Sequence, residues 1–176
     1  MSKSHIPKRP TLFLGDSLTQ FHDWRHCFGP VINFGIAGDT LSGVFYRMHT
    51  IKEKNPGQIF LMIGINDLLM GQPLEALKED YLAVLRELKG CGKLFVLSVL
   101  PVIAEAQTQQ INEQVIALNY WIRSQQDTFH FTYINLYKEV VETSSLGIKE
   151  SYTVDGVHLS ESAYRVWEAS LAPFLF

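Results

Sequence analysis

Apolar and polar positions follow two rhythms along this chain. Short, nearly continuous apolar runs at residues 11–15, 31–34, 58–63, 93–99 and 131–135 predict five β-strands covered on both faces. Leu74, Leu77, Tyr81, Leu85 and Leu88 recur at helical spacing while Glu75, Lys78, Glu79 and Arg86 fall elsewhere, which predicts a helix over 74–89, ended by Gly90 and Gly92. Ile111, Val115, Leu118 and Ile122 predict a second helix over 109–126. Ser160 is placed to cap a last one over 161–171, with Glu161 adding negative charge in its first turn. Strands and helices in alternation imply right-handed crossovers and a parallel sheet. The expected fold is therefore an α/β three-layer α/β/α sandwich, one domain over residues 11–176 behind a tail of residues 1–10.

Composition narrows the picture. With 176 residues, 47% of them hydrophobic and 19% charged, the chain suits one domain with a real core. Fifteen basic and 18 acidic residues, scattered without a basic stripe, argue against nucleic acid as a partner. Cys27 and Cys91 lie far apart and lack metal-site spacing, so they read as reduced, packed thiols. The apolar run at 11–14 is too short for a signal-peptide core, and no run approaches membrane-spanning length. The expectation is a cytoplasmic protein without membrane insertion.

In open parallel sheets ligands bind at the carboxyl ends of the strands, and here those ends are unusual. The first run leads into Gly15-Asp16-Ser17-Leu18, the second into Gly35-Ile36-Ala37-Gly38-Asp39-Thr40, and the third into Gly64-Ile65-Asn66-Asp67. An ester hydrolase needs a nucleophile, a base beside it and donors aimed at the developing oxyanion. Ser17, at a strand-to-helix junction, is a candidate nucleophile. Its neighbour Asp16 points elsewhere at such a turn, so the base must come from a histidine. Of six histidines, His158 stands in Asp155-Gly156-Val157-His158 just before the last helix, where Asp155 can turn back to orient the ring. The oxyanion donors would be the backbone N–H groups of Ser17 and Gly38 and the side-chain amide of Asn66.

Each feature alone has a plainer account. Gly35 and Gly38 could mark only a turn, and Asn66-Asp67 only a capped turn. His22, Asp23 and His26 are spaced for one face of a short helix but lack further metal ligands, and His5, His49 and His130 read as surface or packed residues. Gly-x-Ser-x-Gly and the P-loop pattern are both missing.

Taken together, the four blocks around Ser17, Gly38, Asn66 and His158 resemble the SGNH or GDSL hydrolases, in that family's order and across almost the whole chain. The resemblance implies a flavodoxin-like five-stranded parallel sheet. It implies Ser17 as nucleophile, His158 as base with Asp155 as its partner, and Ser17, Gly38 and Asn66 as the oxyanion hole. Asp16 and Asp67 would hold the loops. The implied activity is cleavage of carboxylic esters through an acyl-enzyme on Ser17, in a family that accepts short acyl esters, acetylated sugars, lysophospholipids and acyl thioesters. The compact chain, with no insertion long enough for a lid, favours small or short-chain acyl groups, carbohydrate or lysophospholipid deacylation included, with a small-molecule ester as partner and no metal or organic cofactor. From their place after strand ends, Leu68, Leu69, Met70 and residues 102–106 would wall the acyl pocket, with packing against the core as the equal alternative. Acyl transfer to another alcohol and silent binding of an acylated sugar stay open as alternatives. A homo-oligomer would find a contact in Phe45, Tyr46 and Trp167 if these were exposed together, although core packing is the simpler account of each.

Overall fold

Five short strands form one wholly parallel sheet in the order β2-β1-β3-β4-β5: β1 Thr11–Gly15, β2 Val31–Gly35, β3 Gln58–Met62, β4 Lys93–Leu97 and β5 Thr132–Ile134. The computed structural model describes residues 9–174, Cys27 for its backbone alone, so His5 and most of the expected tail lie outside the described residues. Arg9 and Pro10, expected in the tail, are already held by the domain. Arg9 donates to the carbonyls of Asn55 and Cys91, and the Pro10 carbonyl accepts from the Gly57 N–H.

Alternation along the strands divides the core in two. Leu12, Leu14, Ile59 and Leu61 join one apolar cluster, which is closed by α3 (Leu41–Tyr46), α4 (Met48–Glu53), α6 (Leu74–Leu88) and α7 (Gln109–Ser124). Phe13, Phe60, Met62, Phe95 and Leu97 point the other way, under α2 (Trp24–Phe28), α9 (Tyr137–Val140) and α10 (Glu161–Leu171). There Phe13 stacks on Trp24 at 4.2 Å, Phe13 on Phe60 at 5.2 Å and Phe60 on Phe95 at 4.5 Å, an aromatic row running across three strands. Trp167 is buried edge-on against Trp24 in this layer. It is therefore no part of a surface contact with Phe45 and Tyr46, which are exposed.

The predicted elements differ from the observed ones mainly at their ends. The fourth strand stops at Leu97 instead of Val99 because the N–H and carbonyl of Val99 are taken by the Asn119 side chain at 2.7 and 2.8 Å. The long helix at 109–126 is broken after Ser124 into α7 and a single turn, α8 (Gln126–Phe129). Short helices at α1 (Ser17–Gln20), α2, α3, α4 and α5 (Ile65–Leu69) run too few residues to display a period, but three announce themselves by caps. Asp16, Asp23 and Thr40 each accept a backbone N–H from the first turn that follows. Among the described residues no helix is long and apolar enough to cross a membrane.

The strand order places the functional end. The chain steps from β1 outward to β2, then returns to the other side of β1 for β3. The reversal opens a crevice at the carboxyl ends of β1, β2 and β3, where the loops after them converge.

Candidate active site

The first loop is built by a close approach. A Cβ at Gly15 would stand 2.3 Å from the Met62 carbonyl oxygen and 2.3 Å from Thr19 Oγ1, so only glycine lets β1 pass directly into α1. Asp16 then caps the helix through Leu18 N–H at 2.9 Å, leaving Ser17 at its first turn. The N–H of Ser17 has no hydrogen-bond partner among the described residues.

The histidine arrives from 141 residues further on. Asp155 Oδ1 accepts the N–H groups of Val157 and His158 at 2.9 and 2.7 Å, which folds the turn, and its Oδ2 accepts the His158 Nδ1–H at 2.6 Å. With Nδ1 protonated, the lone pair on Nε2 faces Ser17 Oγ at 3.1 Å. The His158 imidazole, followed by its N–H and that of Val157, holds the Asp155 carboxyl down at about 2. Asp155 is therefore an anion wherever the imidazole is neutral.

The second and third loops supply donors. Asp39 N–H closes a turn on the Ile36 carbonyl at 3.0 Å, with Gly38 at its third position in the left-handed region, φ 75°. This turn geometry favours glycine. It leaves the Gly38 N–H without a partner among the described residues and open space where a side chain would be. Asn66 donates one amide hydrogen to the Asp39 carbonyl at 2.8 Å, which docks the two loops and leaves its second N–H for a ligand. Asp67 accepts the Leu41 N–H at 3.1 Å and so holds the start of α3 against α5.

Arg47 escaped the sequence reading. From the junction of α3 and α4 its guanidinium grips Asp39 at 2.6 and 2.9 Å, the Phe34 carbonyl at 2.8 Å and the Gly15 carbonyl at 3.2 Å. One partly buried cation thus ties the ends of β1 and β2 to the loop that carries Gly38. The only signal in the sequence is a charge standing among Val44, Met48 and Ile51, which are buried on the same two helices.

The other expected residues fall elsewhere. His22 Nε2 is bound to Glu168 at 2.6 Å and the ring stacks on Tyr164, while His49 and His130 are exposed. Cys91 is half-buried, its thiol directed at the Glu87 carbonyl. Leu68 and Val102 are core residues and so do not wall a pocket. Ile103 N–H donates to the Gly156 carbonyl at 2.7 Å, which props the Asp155–His158 turn from beneath.

Burial raises two carboxyls here. Asp16 is pushed up to about 7, because its Oδ2 meets no hydrogen-bond partner among the described residues and the charges of Asp39 and Asp67 add to the effect; Asp67 is pushed to about 6, again chiefly by burial. A carboxyl raised on folding favours the folded state below its unfolded value of 3.8 and loses that contribution as pH rises through about 7. Asp16→Asn removes this dependence. Its melting temperature relative to wild type is expected to be higher at about pH 8 than at about pH 5. Thermal melts at both pH values test this, and an offset independent of pH would show that Asp16 is not raised.

A sequence profile of the GDSL-like lipase/acylhydrolase family matches residues 13–166. Comparison with curated proteins gives no match. Among solved structures, a GDSL-like lipase from Bacteroides thetaiotaomicron superposes with TM-score 0.82 at 20% identity, over 95% of this chain and 87% of that one. A member of the lipolytic G-D-S-L family from Veillonella parvula gives 0.77 at 18%, over 94% and 97%. A variant of an acetyl-xylooligosaccharide esterase from Geobacillus gives 0.78 at 14%, over 94% and 93%. At such identities these likenesses show the shared fold.

Proposed function

The chain belongs to the GDSL-like lipase/acylhydrolase family, and from that premise we propose that it hydrolyses carboxylic esters of small or short-chain acyl groups through an acyl-enzyme on Ser17. The observation that carries this reading is the continuous relay from Ser17 Oγ through His158 to Asp155, at 3.1 and 2.6 Å, beside two unpartnered backbone donors.

In this reading His158 Nε2 takes the hydroxyl proton as Ser17 Oγ attacks the ester carbonyl. The N–H groups of Ser17 and Gly38 and the free hydrogen of the Asn66 amide receive the oxyanion. As the tetrahedral intermediate collapses, the carbon–oxygen bond to the alcohol breaks and His158 returns the proton to the departing oxygen. Water then attacks the acyl-enzyme with the same base, releasing the acid and restoring Ser17. Asp155 keeps the imidazole in the tautomer that accepts at Nε2 and stabilises the imidazolium between the two transfers. Arg47 and Asp16 act through position, fixing the loops that hold the donors and the nucleophile. The preference for short acyl groups is supported by Leu69 and Met70, at the end of the helix that carries Asn66, which stand open to solvent instead of lining a tunnel.

Turnover of p-nitrophenyl esters from acetate to decanoate tests the assignment. We expect the highest kcat/KM among the shortest esters, with the rate falling as the medium is acidified, because a protonated imidazole cannot accept the hydroxyl proton. Absence of turnover at every chain length would overturn the proposed activity, and a rate that persists unchanged into acid would remove His158 as the base.

A further inference from the structure

We propose that Phe21 and Val154 form the wall that receives the alcohol half of the substrate, and that the site selects esters of apolar alcohols. The inference rests on the acyl-enzyme reading above. In that mechanism the departing oxygen collects its proton from His158 Nε2, so the alcohol lies on the imidazole side of Ser17 and the acyl group away from it.

Two large apolar side chains stand uncovered on segments hydrogen-bonded to the reacting pair, and one of them, Phe21, faces the imidazole. Phe21 is 60% exposed and Val154 70%. The Phe21 ring lies 5.4 Å from the imidazole, inclined by 40°, and its backbone N–H donates to the Ser17 carbonyl at 3.0 Å. The Val154 N–H donates to the His158 carbonyl at 2.9 Å. Each is therefore fastened through its backbone to one of the two reacting residues.

The polar groups on this side are committed to one another. Asp155 is engaged by the Val157 N–H, the His158 N–H and the imidazole, while the Thr153 hydroxyl donates to the His158 carbonyl and accepts the Gly156 N–H. Around the Asp155–His158 turn a sugar or a charged headgroup would find few partners, and Asp23 and Arg25, which border the cleft beside Phe21, are paired with each other. An alkyl or aryl alcohol would instead cover hydrocarbon that is now in water, and contact of this kind is additive per methylene.

Alkyl acetates from ethyl to hexyl test this, because their leaving groups have nearly equal basicity and only alcohol length varies. The wild-type enzyme is expected to gain about twofold in kcat/KM per methylene, on the order of tenfold over the series, about half the fourfold that full burial of each methylene would give. Phe21→Ala should flatten the series to within about twofold, while the dependence on acyl length in ethyl esters from acetate to hexanoate keeps its wild-type shape. Val154→Ser should flatten it in part and gives the same readout if Phe21→Ala is poorly soluble. A wild-type series without slope, or a slope that survives both substitutions, overturns the alcohol wall and leaves the esterase reading intact. Failure of the wild type to hydrolyse any ester overturns both.

Discussion

Ser17→Ala is expected to lower kcat for p-nitrophenyl acetate by about five orders of magnitude while the protein stays folded. The side chain is small and its hydroxyl is bound to His158 Nε2, so alanine removes the nucleophile without opening a cavity. What remains is the contribution of the oxyanion donors and of substrate positioning, which act on an attacking water. Residues that work as one unit do not add, so His158→Ala in the Ser17→Ala background should cost almost nothing further. Single-turnover and steady-state rates of the two single variants and the double variant test this. A Ser17→Ala enzyme that keeps more than about a tenth of wild-type kcat would place the nucleophile elsewhere.

Asn66→Ala is expected to reduce kcat by about 100- to 1000-fold with KM changed far less, as for loss of one donor to a developing oxyanion. Asn66 has two uses, however. One amide hydrogen docks the Asp39 carbonyl, and removing it costs about 1 kcal/mol of stability. The two effects separate by measurement: thermal or urea unfolding reports the docking bond, and the kcat-against-KM split reports the donor. A loss of stability with kcat within about fivefold of wild type would make Asn66 a loop tie alone.

The sheet and its long helices were legible because burial on two faces writes continuous apolar runs, and burial on one face writes a helical period. The candidate site was legible for a different reason: Ser17, Gly38 and Asn66 follow strands and His158 precedes the last helix, where polar residues and glycines stand out against the neighbouring core. Positions fixed by long-range contact were hidden. The stop at Leu97 depends on Asn119, which competes for the backbone of Val99 from another helix. Arg47 gives no local sign that it spans Gly15, Phe34 and Asp39, since a lone arginine in a short helix is ordinarily a surface residue. Trp167 and Phe45 could not be sorted by type alone; the packing of α10 on α2 buries the first, while the second stays exposed on α3.

The proposed nucleophile and base stand 141 residues apart in the chain. During synthesis the serine is therefore made well before the imidazole proposed to activate it. A chain ended between the two would carry a hydroxyl of ordinary reactivity, and hydrolytic competence would mark a polypeptide in which these two distant segments have met.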